Sequence, residues 1–262
     1  MIDRSTGMTP EEAKALAAGD LGQEMAKYPL RFCKPLFFGP PPSPAQPVEI
    51  TNGTMSLLKA GKRFLGLTCE HLIREYQNKK KEDESCSLSL ANLQLDDPLS
   101  LLIVKDRAID FAIFEFTSEQ AQEVIKDSDG IGEAFYEIGP RVPAPIEVGD
   151  FVAYGGFPGE LRKPASFDEL NFGSYSSGAC RVVDRHSDYF TCGFEREYWA
   201  RHFSEPEPRR LGGLSGGPVF AIRHSSAGFV TYEFTGYVFK IHEPTEALFV
   251  RHVSAIWDIL SQ

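Results

Sequence analysis

The sequence predicts an all-β protein of two six-stranded antiparallel barrels, with a helical extension before them and a helix at the C-terminus. Short apolar, β-leaning runs separated by turn residues recur from residue 48 onward. A stretch rich in glycine and proline, within 118–147, divides these runs into two groups. The last segment, 252–260, spaces its apolar residues at helical intervals, which predicts the final helix.

Residues 1–47 are predicted to form an extension outside the barrels. Thr9 and Glu12 have the spacing of a capping box, which predicts a short helix ending at about Ala18. The run Gly-Pro-Pro-Pro-Ser-Pro at 39–44 then predicts a stiff, extended connector.

The two groups of strands define two predicted barrels, 48–137 and 138–262. The first contains a hairpin and two further apolar runs: 54–59 with 63–68, then 99–104 and 111–116. The second contains five runs: 151–154, 179–184, 189–192, 219–223 and 229–240. No internal repeat is evident in the sequence.

The composition predicts a soluble chain with no nucleic-acid or membrane partner. Among the 262 residues, Lys and Arg number 27 against 37 Asp and Glu, and the net charge of −10 disfavours phosphate binding. No run approaches the roughly 18 apolar residues of a membrane span, and the N-terminus begins no apolar leader. We therefore expect a cytoplasmic protein.

The cysteines indicate neither a disulfide framework nor a zinc site. There are five, an odd number, and none falls in a Cys-x-x-Cys pair. Cys180 and Cys192 could face each other across a hairpin, and in a reducing compartment we expect both as free thiols. The sequence thus predicts no metal and no cofactor.

The first candidate for chemistry is Ser215, in a loop that also contains four glycines. Glycine allows sharp turns and close backbone approach, so such a loop can present the hydroxyl while nearby backbone N–H groups converge on an anion. The alternative is that the segment is only a turn between strands. A serine hydroxyl needs a general base to act as a nucleophile.

His71 is the candidate base and Asp110 the candidate orienting carboxylate. His71 closely follows the predicted strand 63–68, and its free pKa near 6.5 suits proton transfer. Asp110 stands directly before a strongly apolar strand, where a carboxylate needs a partner such as an imidazole N–H. Taken singly, His71 could be a surface histidine and Asp110 could cap a turn.

Together the three segments resemble the chymotrypsin-like serine peptidases. Thr-Cys-Glu-His at 68–71 is similar to that family's Thr-Ala-Ala-His, and Asp-Phe-Ala-Ile at 110–113 to its Asp-hydrophobic-Ala-hydrophobic. Gly-Leu-Ser-Gly-Gly-Pro at 213–218 is similar to its Gly-x-Ser-Gly-Gly-Pro. The order His, Asp, Ser also agrees, and the resemblance extends over 48–262.

The resemblance implies a serine endopeptidase acting on polypeptides through a triad in the cleft between the barrels. Ser215 would be the nucleophile, His71 the general base and Asp110 its orienter. The backbone N–H groups of Gly213 and Ser215 would bind the oxyanion.

Substrate binding is also implied by analogy with the family. An edge strand of Phe239, Lys240 and Ile241 would pair with the substrate backbone. Arg209 and Arg210 fall where the specificity pocket begins, and would either pair with an acidic substrate residue or point to solvent.

Two departures from the family pattern concern activation and disulfides. Leu214 stands where many exported relatives have an aspartate that pairs with a newly cut N-terminus. Leu72 stands where they have a disulfide cysteine. We therefore expect an oxyanion hole that is either preformed or ordered by another event, such as a movement of the extension.

The sequence is also compatible with two alternatives. Gly-Leu-Ser-Gly-Gly at 213–217 also fits the nucleophile elbow of α/β-hydrolases, but that fold places its acid and histidine after the serine. The other alternative is a catalytically silent module of the same fold that binds peptides or acts as a scaffold. The sequence does not indicate an oligomeric state.

Overall fold

The computed structural model describes residues 19–41, 49–126, 131–164, 170–194, 201–203, 208–224 and 230–260. Within these ranges the chain is mostly β, with one curled sheet, one closed barrel and four helices. The helix expected at 9–18 lies outside the described residues.

The N-terminal sheet contains eight strands. They are β1 (Cys33–Gly39), β2 (Thr51–Ala60), β3 (Arg63–Thr68), β4 (Ser87–Leu90), β5 (Leu93–Leu95), β6 (Leu102–Asp106), β7 (Phe111–Phe116) and β8 (Tyr136–Glu137). Their order is β5-β4-β1-β2-β3-β7-β6, all antiparallel, with β8 parallel to β2. Among the described residues the two ends of this order do not pair, so the sheet curls around its core without closing.

The C-terminal sheet forms a closed barrel. Its strands are β9 (Phe151–Gly156), β12 (Tyr175–Arg185), β13 (Tyr189–Gly193), β14 (Arg201–Phe203), β15 (Pro218–His224), β16 (Val230–His242) and β17 (Ala247–His252). The order is β13-β17-β16-β15-β9-β12-β14, and a further pairing of β13 with β12 closes six of them into a ring. A separate hairpin joins β10 (Arg162–Pro164) to β11 (Leu170–Phe172).

Four helices accompany the sheets. They are α1 (Asp20–Lys27), α2 (Glu70–Glu82), α3 (Ser118–Ile125) and α4 (Trp257–Leu260). Thr117 begins α3 with a complete capping box that includes Gln120. None of the helices in the described ranges combines the length and the apolar character needed to cross a bilayer.

The predicted fold class is confirmed, with two differences of detail. The first sheet is curled rather than hydrogen-bonded into a ring, as described above. The C-terminal segment is a 3₁₀ turn, Val253–Ile256, followed by one turn of α-helix, because 3₁₀ and α geometry share the spacing of its apolar residues.

The predicted extension of residues 1–47 needs correction in its extent. Residues Cys33–Gly39 form β1, which pairs with β2 over six residue pairs, and Leu36 and Phe38 are buried in the core of the curled sheet. The proline run begins only after this strand, so the apolar residues before it belong to the sheet. Helix α3 lies within the stretch 118–147 that separates the two groups of strands.

The two halves share a core that holds them together. Side chains of the curled sheet, such as Leu67 and Ile113, pack with Phe220 and Tyr237 of the barrel and with Trp257 of α4. A strap formed by α1 and the following 3₁₀ turn also crosses the barrel: the buried Ser176 hydroxyl on β12 donates to the Ala26 carbonyl at 2.5 Å.

Candidate active site

His71 and Asp110 are in direct contact at the end of the curled sheet. His71 Nδ1 lies 2.8 Å from Asp110 Oδ2, and the His71 backbone N–H donates to Asp110 Oδ1 at 2.9 Å. Their side chains are 33% and 21% exposed, so the pair is accessible from solvent. Because Asp110 engages Nδ1, Nε2 is the ring nitrogen left for other chemistry.

Local sequence explains this contact. Thr68 ends β3 and pairs with Ala112 of β7, so the segments that follow the one strand and precede the other begin side by side. His71 is the second residue of α2. Asp110 takes a left-handed backbone conformation, φ +55°, which aspartate tolerates better than most residues.

A tyrosine from the barrel supports the turn that carries Asp110. The Tyr237 hydroxyl donates to the carbonyl of Ile109 at 3.1 Å. Burial raises the pKa of Tyr237 far above its usual range, so the hydroxyl stays protonated and remains a donor. Tyr237 therefore ties the carboxylate-bearing turn to the other half of the molecule.

The loop around Ser215 requires glycine at two positions. Gly213 has φ +107° and Gly216 has φ +88°. A Cβ at Gly213 would lie 2.5 Å from the Phe157 carbonyl oxygen, and one at Gly216 would lie 2.0 Å from the Thr54 carbonyl oxygen. Both the conformation and the close backbone approach therefore exclude other residues.

The amides of this loop divide into bonded and unbonded groups. The N–H groups of Leu214, Gly216 and Gly217 donate to the carbonyls of Leu211, Val238 and Leu214, at 3.2, 2.7 and 2.8 Å. By contrast, the N–H groups of Gly213 and Ser215 donate to no acceptor within the ranges that the structure describes.

The carbonyls that precede these two free amides are both held. Gly159 N–H donates to the Gly212 carbonyl at 2.8 Å, and Gly217 N–H donates to the Leu214 carbonyl at the same distance. In a trans peptide the N–H points opposite to the C=O. The free N–H groups of Gly213 and Ser215 are therefore turned away from these donors, and an anion can use them.

The segment that carries Ser215 and the segment that carries His71 share a hydrogen-bond acceptor. The backbone N–H of Gly216, the residue after Ser215, donates to the Val238 carbonyl at 2.7 Å. The thiol of Cys69, two residues before His71, donates to the same carbonyl at 3.4 Å. Ser215 Oγ itself makes no hydrogen bond to any described residue. The structure thus joins His71 to Asp110 and places neighbours of Ser215 and of His71 on one acceptor.

Leu214 anchors the loop through the apolar core of the barrel. It is fully buried within that core, which also contains Leu211 and Val219. A Cβ at Gly156 would come within 2.8 Å of Leu214 Cδ2, so the leucine packs directly on β9. A buried leucine thus occupies the position at which many exported members of the resembled family have an aspartate.

Arg209 and Arg210 have exposed side chains, whereas their backbone N–H groups are hydrogen-bonded. Their backbone N–H groups donate to the two carboxylate oxygens of Glu160, at 3.0 and 2.7 Å, and these bonds lower the pKa of Glu160. The next amide, that of Leu211, donates to Glu243 Oε1 at 2.8 Å. Two carboxylates therefore hold the segment before the serine loop.

Phe239, Lys240 and Ile241 lie on a stretch of β16 that has a neighbour on one side only. The pairing of β15 with β16 ends at Pro218 and Tyr237, whereas β17 continues alongside to residue 242. Lys240 is exposed, while Phe239 is half-buried with the Arg251 guanidinium 4.4 Å from its ring centre. Within the described residues this leaves an unpaired strand edge.

Cys69, His71 and Asp110 are the described residues whose ligand atoms are close enough to share a metal ion, within 4.8 Å of one another. Burial and the neighbouring Asp110 charge raise the pKa of the Cys69 thiol well above its usual range. A protonated thiol is a poor metal ligand, and His71 Nδ1 is already engaged by Asp110. The geometry favours hydrogen bonding over metal binding here.

Sequence reasoning missed the residues that connect the halves at this site. Thr54 bonds Gly213, which is 159 positions later in the sequence, and Tyr237 bonds Ile109, which is 128 positions earlier. Neither residue stands in a local motif, and no pattern in one sequence pairs a strand threonine with so distant a carbonyl. The clustering of glycine was the signal for the loop, and it carries no information about what binds the loop.

The segments that carry His71 and Ser215 are in contact where the curled sheet faces the closed barrel, since a Cβ at Gly216 would lie 2.6 Å from Thr68 Oγ1. No protein-family model matches the chain, and no curated protein matches it in sequence.

Among solved structures the chain is similar to several proteases. A thermostable serine protease, AL20, from an extremophilic microorganism has a TM-score of 0.48 at 12% identity, covering 88% of this chain and 96% of that one. A scabies mite inactivated protease paralogue has a TM-score of 0.47 at 13% identity, covering 90% and 96%. The protease Anisep from Arthrobacter nicotinovorans has a TM-score of 0.46 at 12% identity, covering 90% and 98%.

Proposed function

We propose that this chain is a serine endopeptidase that cleaves polypeptides through an acyl-enzyme. Ser215 Oγ attacks the scissile carbonyl carbon, and His71 Nε2 accepts the hydroxyl proton as the new C–O bond forms. When the tetrahedral intermediate collapses, His71 returns that proton to the leaving amine. Water then repeats the sequence and releases the acid product.

Asp110 makes His71 a suitable base. Its carboxylate accepts from the ring at Nδ1, which fixes the tautomer with the lone pair on Nε2, and it stabilises the imidazolium that forms. Its second oxygen accepts from the His71 backbone N–H, so the carboxylate cannot rotate without losing both bonds. Ser215 Oγ has no bond to a described residue, so its side chain can rotate among staggered positions.

The observation that carries the proposal is the pair of free amides at Gly213 and Ser215. Within the five residues 213–217, the described structure satisfies the other three amides and leaves these two, one of them on the candidate nucleophile itself. Two preoriented N–H donors are what the oxyanion of a tetrahedral intermediate requires.

Substrate would bind along the open edge of β16. The unpaired edge at Phe239, Lys240 and Ile241 offers backbone groups to an extended peptide, which would add as a strand. Arg209 and Arg210 keep exposed side chains near the loop and would meet acidic groups of a substrate through their guanidinium groups.

A fluorophosphonate probe tests the proposal. We expect the probe to label Ser215, as located by peptide mapping, and we expect no labelling in His71→Ala. The unmodified protein should also hydrolyse casein or a peptide library. His242→Ala is a matched control, because this exposed histidine bonds only Thr245 among the described residues. No labelling and no hydrolysis by the folded protein would instead identify a silent peptide-binding module.

The setting that we propose for this activity is the cytoplasm. All five cysteines are buried free thiols, a state that a reducing compartment maintains. The proposed partner is a polypeptide substrate, with no cofactor. Expression with a cytoplasmic fluorescent fusion and cell fractionation would test the location.

A further inference from the structure

Thr54 lies on β2 of the curled sheet, yet among the described residues its side chain bonds only groups of the other half. Its hydroxyl accepts from the Phe157 N–H at 3.1 Å and donates to the Gly213 carbonyl at 2.8 Å. The residue is fully buried. We propose that Thr54 is a positioning residue that holds the Gly213 peptide in the orientation needed for oxyanion binding; this inference rests on the proposed function.

Thr54 acts together with Asn52 on a rigid support. The two residues are two positions apart, so they lie on the same face of β2. Asn52 Nδ2 donates to the Phe157 carbonyl at 2.8 Å, while Thr54 accepts the Phe157 N–H. Both backbone groups of Phe157 are therefore bound, as they would be by a neighbouring strand, and the segment that leads to Gly159 is fixed.

This support holds Gly213 from two directions. Gly159 N–H binds the carbonyl of Gly212, before the free amide, and the Thr54 hydroxyl binds the carbonyl of Gly213, after it. Glycine can adopt several backbone conformations at little cost, so a glycine peptide stays in one orientation only if its neighbours hold it. Removing the Thr54 hydroxyl frees one of the two peptide units that flank Gly213.

The same residue also orders the nucleophile and the approach to the base. Thr54 N–H donates to the Ser215 carbonyl at 2.9 Å, and the Thr54 carbonyl accepts from the Thr68 hydroxyl at 2.8 Å. Thr68 is the last residue of β3, before the segment that carries His71. Thr54 thus contacts both the serine loop and the end of the strand that precedes His71.

The loop needs such an anchor because Leu214 cannot form an ion pair. A leucine offers no carboxylate to a newly cut N-terminus, and it is buried in apolar surroundings. The bonds from Thr54 and Gly159 hold the hole in place instead.

The test compares three variants of the full chain. Thr54→Val keeps the shape of the side chain and removes both hydrogen bonds, and Thr54→Ser keeps the hydroxyl. Ser176→Ala is the matched control, because it also removes a buried hydroxyl bond, to Ala26, but away from the serine loop. For each protein, kcat and KM on a peptide substrate, the rate of fluorophosphonate labelling and the melting temperature are measured.

We expect Thr54→Val to lower kcat by about 10- to 100-fold, somewhat less than loss of a whole oxyanion donor, with KM little changed. Thr54→Ser should retain kcat within a few-fold. Ser176→Ala should lower the melting temperature comparably to Thr54→Val while keeping kcat. Slower labelling in Thr54→Val should accompany its fall in kcat.

Three results would overturn the role of Thr54: unchanged kcat in Thr54→Val, a Thr54→Ser protein as slow as Thr54→Val, or an equal loss in Ser176→Ala. If Thr54→Val does not fold, the Thr54→Ser and Ser176→Ala comparison still decides. Failure of the proposed function is a separate observation. In that case the folded, unmodified protein neither hydrolyses peptides nor reacts with the probe.

Discussion

The two halves of the molecule hold their parts of the proposed site by different means. The curled sheet supplies His71 and Asp110, which contact each other through partly exposed side chains. The closed barrel supplies the Ser215 loop, where buried backbone bonds set the direction of two amides. The first arrangement depends on which functional groups are present, and the second depends on the space that each residue occupies.

This difference teaches where each half can be perturbed. A substitution that preserves shape but changes charge should be most damaging in the curled sheet. A substitution that adds a single methyl group should be most damaging in the serine loop. Contacts that cross between the halves should have intermediate effects, because they position groups without reacting.

Asp110→Asn should have the largest effect. The amide preserves the shape of the side chain, and asparagine also tolerates a left-handed backbone, so the fold should be retained. It cannot serve as the same charged acceptor for His71 Nδ1, so the tautomer is wrong and the imidazolium loses its counter-charge. We expect kcat to fall on the order of 10⁴-fold. Steady-state kinetics on a peptide substrate measure this, and a loss under tenfold would show that Asp110 does not orient the base.

Gly213→Ala should have the next largest effect. The added methyl group would lie 2.5 Å from the Phe157 carbonyl oxygen, and φ +107° disfavours any L side chain. The peptide must shift, and we expect a loss of about 10²- to 10³-fold in kcat, as when one oxyanion donor is removed.

Gly212→Ala is the control for that loss. A Cβ there meets nothing within 4 Å, and the residue is exposed, so activity should stay within a few-fold. Equal losses in the two variants would mean that the whole loop, rather than the Gly213 amide, is sensitive to substitution.

Tyr237→Phe should have a smaller effect on activity and a measurable one on stability. The Ile109 carbonyl loses its donor, which costs about 1 kcal/mol in the free energy of unfolding. Relaxation of the turn that carries Asp110 should lower kcat several-fold.

Tyr136→Phe separates the two effects of that change. It also loses a bridging hydroxyl, one that donates to the Tyr232 carbonyl at 3.4 Å, and the residue lies on β8 away from His71. Denaturant unfolding and kinetics on both variants should give similar stability losses and a kcat loss in Tyr237→Phe alone. A kcat loss of the same size in Tyr136→Phe would contradict a positioning role for Tyr237.

The smallest expected effect concerns a buried histidine at the end of β17. Burial lowers the pKa of His252, whose ring lies 5.1 Å from that of Phe190, below its usual 6.5. The unfolded chain then binds the proton more readily than the folded one. Stability should be full above about pH 6.5 and should decrease as the pH falls below that value toward the folded pKa.

His252→Gln should reduce the loss of stability at low pH. The change His186→Gln, at an exposed histidine, should not alter that loss. Denaturant melts at pH 7.5, 6.5 and 5.5 compare the three proteins. Parallel pH profiles for the unmodified chain and His252→Gln would contradict the assignment.

Sequence patterns identified the parts of the site that depend on neighbours in the chain. The strand before His71, the strand after Asp110 and the glycines around Ser215 are each visible in a few consecutive residues. The contact between His71 and Asp110, proposed from those patterns, is present in the structure. The joint action of the triad and the oxyanion role of Gly213 and Ser215 stay predictions.

Features that depend on distant pairing were missed. β1 stands before a proline run and contains Pro35, a pattern that argues against a strand, although β2 and β4 pair with β1 on either side. His252, expected on the final helix, instead ends β17, which pairs with both β13 and β16. Tertiary hydrogen bonds decide these assignments, and one sequence does not display them.

The most direct test of the account is a crystal structure of the protein after reaction with a peptide phosphonate. The account predicts a covalent bond to Ser215 Oγ, with one phosphonyl oxygen about 2.7–3.1 Å from the amide nitrogens of both Gly213 and Ser215. His71 Nε2 should lie within hydrogen-bond distance of Ser215 Oγ or of the leaving-group position. A phosphonyl oxygen directed away from both amides, or attachment at a different residue, would contradict it.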